Sequence, residues 1–301
     1  MRSLKKAIRE AERNKIALGH FNISNLEQLK GIAHAAVRLN VPVVIGVSEG
    51  ERDFIGVHHV KDLIDSYNKE HGNPPGGREG FWLFLNADHT HSLGNAVAAA
   101  DLDFDEVLFD GGKLPFEENI RQTKLAADSI KRGFRFWKKE ILLEGELGYI
   151  GSASEIRNGI PEGAAIRPED LTKPEEAVRF VKETGVDLLA PAVGNIHGMY
   201  ANTPDPALDI ERIRAIKNSV GIPLVLHGAS GNTDEDILAA INAGISMVHI
   251  STELRAAWRQ GLEKDLKEKP TEVAPYKLTP DAISKMEEIV EKKLRLFMKI
   301  G

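Results

Sequence analysis

With 301 residues and a formal net charge of −6, the chain is long enough for one sizeable core and carries no basic excess that would favour nucleic acid or an anionic membrane. Ten histidines and no cysteine exclude disulfides, thiolate metal ligands and cysteine nucleophiles, so any metal must be held by His, Asp or Glu. No segment approaches the roughly 18 uninterrupted apolar residues of a membrane span, and the charged amphipathic start MRSLKKAIREAERNK has no signal-peptide core, which makes a cytoplasmic enzyme the expectation.

Short apolar runs then alternate with helical patterns along the chain. IALGHFN (16–22) predicts a first strand ending at Asn22, and Ser24-Asn25-Leu26-Glu27 reads as a capping box opening a helix. VPVVIGVS (41–48) predicts a second strand ending at Ser48, and the connection 56–80 holds a helical piece followed by NPPGGREG. FWLFLNA (81–87) predicts the third strand, which runs into NADHTHS (86–92); EVLFDG (106–111) and EILLEGEL (140–147) predict the fourth and fifth, ending at Asp110 and Glu146. A Gly-, Ser- and Pro-rich loop, 148–173, follows, of a length that is usually functional. Thr172-Lys173-Pro174-Glu175 reads as a second capping box, and DLLAPAV (187–193), IPLVLHG (222–228) and SMVHIS (246–251) complete eight strands.

Eight strand–helix units with Val/Ile/Leu-rich, non-alternating strands predict an α/β protein, a single (β/α)8 TIM barrel over 1–301. A doubly wound open sheet competes on periodicity alone. The barrel is favoured because Asn22, Ser48, Asp88-His89, Asp110, Glu146, His197, His227 and Ser251-Thr252 all fall at or beyond the C-terminal ends of different strands, which a barrel gathers onto one catalytic face. A lone strand-end histidine is usually structural, but His89, His197 and His227 would point into one mouth, and three imidazoles plus an open position suit a catalytic zinc. His91 forms an H-x-H with His89 and is expected to brace the site or face solvent. Gly228-Ala-Ser-Gly and Ser251-Thr252 lie after the seventh and eighth strands, where backbone N–H groups and a helix N-terminus attract phosphate.

Taken jointly, ALGHFNISNLE, NADHTHS, VLFDGGKLPFEENIRQTK, LEGELGYIG, GNIHGMY, PLVLHGASG and the terminal KKLRLF resemble the class II, zinc-dependent ketose-bisphosphate aldolases. The resemblance implies a barrel, a homodimer or homotetramer, a phosphorylated sugar substrate, and Zn2+ or another divalent ion with room for a monovalent cation. It implies His89, His197 and His227 as zinc ligands, Asp88 as the group handling the C4 hydroxyl proton, and Asp110 and Glu146 at an alternative metal position. Gly198, Gly228, Ser230, Ser251 and Thr252 match the cradle for dihydroxyacetone phosphate, with Asn22 and Ser48 as further substrate contacts. Glu155 is the nearest match to the loop base that exchanges a proton with dihydroxyacetone phosphate.

Three positions depart from that pattern: His249 stands where the family has Asn, Ala201 where it has Lys, and Tyr276 near where a subunit-crossing Arg is expected. His249 shares a strand side with Ser251 and is expected at the substrate as a cationic donor. The first expectation is cleavage of fructose 1,6-bisphosphate to dihydroxyacetone phosphate and glyceraldehyde 3-phosphate; a different ketose phosphate, a zinc hydrolase, or a non-catalytic protein on the same barrel are the alternatives. Retention of Asp88 beside three ligands argues against the non-catalytic one.

Overall fold

The computed structural model describes residues 3–72, 80–133, 140–151, 155–157, 159, 163–164, 167–201 and 205–301; nearly all of NPPGGREG and much of the loop after the fifth strand lie outside them. In chain order the elements are α1 (Leu4–Asn14), β1 (Leu18–Asn22), α2 (Leu26–Leu39), β2 (Pro42–Val47), α3 (Glu49–Ile55), α4 (Val57–His71) and β3 (Trp82–Thr90). They continue as α5 (Leu93–Asp101), β4 (Glu106–Phe109), α6 (Phe116–Gly133), β5 (Leu142–Leu147), β6 (Ile156–Arg157), α7 (Pro174–Thr184) and β7 (Leu188–Pro191). The chain ends with β8 (Met199–Tyr200), α8 (Ile210–Val220), β9 (Leu224–Leu226), α9 (Asp234–Ala243), β10 (Ile245–Ile250), α10 (Thr252–Glu268) and α11 (Pro280–Met298). No helix is long and apolar enough to cross a membrane among the described residues.

Eight parallel strands close in the order β1-β10-β9-β7-β5-β4-β3-β2, so the expected barrel is present and every strand carries one face toward the axis and one toward the helices. The outward face packs Val43, Ile45, Leu83, Leu85, Val107, Leu143 and Val248 against the helical ring. The inward face is split. At the N-terminal end Leu18, Val44, Phe84, Leu142, Leu188, Val225 and Met247 fill the axis, and α1 closes it with Leu4, Ile8 and Ala11. Two residues further along the same strands the inward side chains become His20, Asn86, Glu144, His227 and His249, all buried, because side chains two apart in a strand share a face.

The expected capping boxes shift on inspection of their hydrogen bonds. Asn25, one residue later than Ser24, caps α2 by accepting from Gln28 N (2.9 Å), while Gln28 Oε1 accepts from Ser24 N. Thr172 is not a cap at all: its hydroxyl donates to Leu147 O (2.6 Å) and accepts from Ala192 N (2.9 Å), tying the ends of β5 and β7 together. The two-residue strands β6 and β8, outside the barrel, pair in parallel and fasten part of the loop after β5 to the segment after His197.

Candidate active site

The C-terminal mouth of the barrel opens into a cleft of about 320 Å³. Asn22, Ser48, Asp88, His89, His197 and His249 line it, as do Asp110, Gly198, Gly228, Ser230, Ser251 and Thr252. His227 and Glu146 lie below this surface, buried. Together they come from the C-terminal ends of all eight barrel strands or from just beyond them, as the sequence predicts.

His89 is aimed by a local break in β3. The pairing with β4 shifts between Ala87 and Thr90, and His89 takes φ +41°, a left-handed conformation that an L-residue adopts only at a cost of roughly 1–3 kcal/mol. The buried Arg52 holds that break: its Nη1 donates to Val47 O and Asp88 O, and its Nη2 to Thr90 Oγ1 (3.0 Å). Gly228 permits the turn after β9, since φ is +61° and a Cβ would stand 2.2 Å from Ile196 O. Asn195 fixes the loop that carries His197 by donating to His227 O (3.0 Å).

The rings of His89 and His197 are 4.8 Å apart, those of His89 and His227 5.2 Å, and all three meet nearly edge to face. Ligand atoms of His89, Glu146, His197 and His227 lie within 4.8 Å of one another. Asp110 Oδ2 is 2.9 Å from His89 Nδ1, and Glu146 Oε2 is 3.6 Å from the same nitrogen. Among the described residues, Nε2 of His197, Nδ1 of His227 and Oε2 of Glu146 are buried without a hydrogen-bond partner, which is unusual in native interiors and points to another group that completes the contacts. The electrostatics agree. Burial lowers His227 to about 3 and His197 well below the usual imidazole value, so both are neutral and keep a lone pair. Burial opposes charge on His89 too, but Asp88, Asp110 and Glu146 outweigh it and raise that imidazole well above its ordinary value. The site is a place that seeks positive charge, and the donor set of three imidazoles and a carboxylate fits a divalent ion.

A second cluster, His20, Asp88 and His249, does not fit one. His20 and His249 stack at 3.4 Å with their planes 3° apart, so their lone pairs lie in parallel planes and cannot converge on an ion about 2.0–2.1 Å from each nitrogen. The stack continues to His227, 4.0 Å from His249. It also corrects the charge expected of His249: burial, with His20 and His227 adding to it, holds this imidazole well below its ordinary value, so it is neutral rather than a cationic donor. Gly46 on β2 makes room for the stack, because a Cβ there would meet His20 Cε1 at 2.1 Å.

Asp88 is held from the other side. Asn22 Nδ2 donates to Asp88 Oδ2 (2.8 Å) and to Glu51 Oε2 (3.1 Å), and Glu51 also accepts from Ser24, Ser48 and Arg255. Burial opposes ionisation of Asp88, yet His89 and His20 keep its carboxyl well below the usual range. Ser251 N donates to Ser230 Oγ (3.3 Å) at the start of α10, which joins the turn after β9 to the N-terminus of that helix. His91 is half exposed beside Asp110. Glu155 has an exposed side chain 3.5 Å from Arg157, and its backbone carbonyl lies against Gly198; it does not line the cleft. Tyr276 is exposed in the 275–277 turn, away from the site. Sequence reading passed over His20, Glu51, Arg52, Glu106, Glu144 and Arg255.

A (β/α)8 barrel that gathers three histidines and several carboxylates at its C-terminal mouth has its chemistry-bearing side chains where barrel enzymes place their active sites. The sequence matches the family described as fructose-bisphosphate aldolase class-II over residues 2–301, and the chain belongs to that family of aldolases. It is 34% identical over 298 residues to a sulfofructosephosphate aldolase of Alkalicoccus urumqiensis, covering 97% of this chain and 95% of that protein. Among solved structures, the YdjI aldolase of Escherichia coli K12 superposes with a TM-score of 0.78 at 28% identity, covering 99% of this chain and 98% of that one. A fructose-bisphosphate aldolase of Campylobacter jejuni shares the fold with a TM-score of 0.77 at 18% identity, covering 98% and 94%.

Proposed function

We propose that the chain cleaves, reversibly, the C3–C4 bond of a ketose phosphate whose far end carries a second anionic group, fructose 1,6-bisphosphate or a sulfonated counterpart such as the sulfofructosephosphate for which the Alkalicoccus urumqiensis relative is named. The observation that carries this reading is the meeting of Asp88 and the His89–Glu146–His197–His227 cluster with the cradle of Gly228, Ser230, Ser251 and Thr252 around one cleft.

His89, His197 and His227, with Glu146 as the alternative ligand, would hold a divalent ion, zinc by family. When bound, such an ion supplies Lewis-acid stabilisation of negative charge on a carbonyl oxygen. The cradle orients the phosphate of the half that becomes dihydroxyacetone phosphate. Asp88, a carboxylate positioned by Asn22, takes the C4 hydroxyl proton as the C3–C4 bond breaks and C4 becomes an aldehyde. The bonding pair stays on C3, which then takes a proton; Glu155, the sequence candidate for that step, stands outside the cleft in this structure and would have to move into it to act. His249, neutral and locked in its stack, offers a hydrogen bond to a substrate oxygen where the family has Asn.

The test combines metal analysis with a substrate panel. The purified wild-type chain should carry about one equivalent of divalent metal, lose cleavage on chelation and regain it on metal addition, and His197→Ala should lose the metal. The panel comprises fructose 1,6-bisphosphate, 6-deoxy-6-sulfofructose 1-phosphate and fructose 1-phosphate. The two doubly anionic sugars should outrank fructose 1-phosphate in kcat/KM. Phosphate release without an aldehyde product, or metal content unchanged by His197→Ala, would overturn the reading.

A further inference from the structure

Below the metal-facing atoms lies a layer of ionisable side chains that the cleavage chemistry leaves idle: His20 on β1, Glu106 on β4 and Glu144 on β5, none of them reachable by solvent. Barrel interiors are ordinarily packed with branched apolar side chains, and a buried carboxyl is costly unless something holds it. Glu144 is held from two directions. Its Oε1 stands 2.8 Å from Nε2 of His227. The carboxyl of Glu106 lies against it from the neighbouring strand β4.

A neutral imidazole has one N–H and one lone pair, and whichever nitrogen faces an acceptor carries the proton. With Glu144 at Nε2, the lone pair of His227 falls on Nδ1. That atom is buried without a hydrogen-bond partner among the described residues and faces Glu146 Oε2 at 3.9 Å, on the side of the ring where His89 and His197 converge. The stack with His249 limits rotation of the ring. We propose that Glu144, braced by Glu106, is a positioning residue for His227: it accepts the Nε2 proton and thereby presents Nδ1 to the ion. This rests on the reading of the histidine cluster as a divalent-metal site.

Carboxylate partners of metal-bound histidines contribute about 10–100-fold to metal affinity. Zinc affinity of the full chain, measured by competition with a chromophoric chelator, should therefore weaken by about 10–100-fold in Glu144→Ala. Glu144→Gln, which keeps an acceptor oxygen, should stay within about tenfold of wild type, and so should Glu106→Gln, which keeps a donor toward Glu144. Thermal unfolding in excess chelator separates a positioning role from a structural one, since a structural role lowers the metal-free midpoint and leaves zinc affinity alone. Independently of any variant, nitrogen–proton correlation spectra of the metal-free wild type should place the His227 proton on Nε2. Zinc affinity of Glu144→Ala within about threefold of wild type, or a His227 proton on Nδ1, overturns the proposal while leaving the metal site standing. A wild-type chain that takes up no divalent ion overturns the metal-site reading and this proposal with it.

Discussion

The two ends of the barrel axis are built from the same strands and differ by a step of two residues. Leu18, Phe84, Leu142, Val225 and Met247 fill the N-terminal end, and His20, Asn86, Glu144, His227 and His249 follow them in the next inward layer. The first layer is sealed by α1 and contributes stability; burying each large apolar side chain is worth roughly 1.5–3 kcal/mol. The second layer spends that stability on orientation. It gathers imidazoles and carboxyls out of water, where each is unfavourable unless paired, and holds them in stacks and hydrogen bonds that leave a few atoms facing the cleft. The contrast separates substitutions that should damage chemistry from those that should damage the fold.

The largest effect is expected at the catalytic end. Asp88→Asn keeps an oxygen for the Asn22 amide but removes the proton acceptor, so kcat should fall by about 10²–10⁴-fold. Metal content and unfolding midpoint should stay near wild type. A variant with near-normal turnover would move the proton transfer to another residue and blur the division between the ends. The converse test is Phe84→Ala in the apolar layer. Phe84 is fully buried, and truncation should cost about 3–5 kcal/mol in urea unfolding. Turnover per folded molecule should change little. Loss of activity without loss of stability would show that the lower layer also shapes the cleft.

How much of this was legible in the sequence follows the same contrast. The eight apolar runs each overlap a barrel strand, with β3 running on to Thr90 and β10 starting one residue earlier at Ile245, and the strand-end groups Asp88-His89, Asp110, Glu146, His197, His227 and Ser251-Thr252 lie around one mouth, because a polar residue ending an apolar run is visible against its background. The polar layer inside the barrel was not seen. Both faces of these strands are buried, so no polar–apolar alternation marks the axis, and His20, Glu106 and Glu144 were absorbed into runs read as simply apolar. A signal was present in LEGEL: Glu144 and Glu146 are two apart and must share a face. Glu51 and Arg255 meet 204 residues apart, and Arg52 braces β3 across 38; no linear pattern encodes such pairs. The left-handed turn at His89 and the two-residue strands β6 and β8 are too short for any period to register.

The smallest expected effect tests whether charge at the catalytic end costs stability even outside the chemistry. Asp205, in the segment after β8, sits buried beneath the Gly228–Gly231 turn: its backbone N–H donates to Gly231 O (3.0 Å), its Oδ1 accepts from Tyr200 N (3.2 Å), and its Oδ2 has no partner among the described residues. Burial raises its carboxyl to about 6, against a smaller opposing pull from the Tyr200 N–H. A folded-state value above the unfolded one means that the folded chain holds this proton more tightly. Below about pH 4 both states are protonated and the carboxyl costs nothing extra. Between about pH 4 and 6 the unfolded state releases its proton first, so stability falls as pH rises, and above about 6 the folded carboxyl ionises too and the loss levels off. Asp205→Asn keeps the acceptor for Tyr200 and cannot ionise. It should therefore be more stable than wild type by about 1 kcal/mol at pH 8, the scale of one unsatisfied buried group, with the gap closing toward pH 4. Urea unfolding of both proteins across that range measures it. Parallel curves at every pH would mean that the Asp205 carboxyl is solvated in the folded chain, and that the cost of buried charge is confined to the barrel axis.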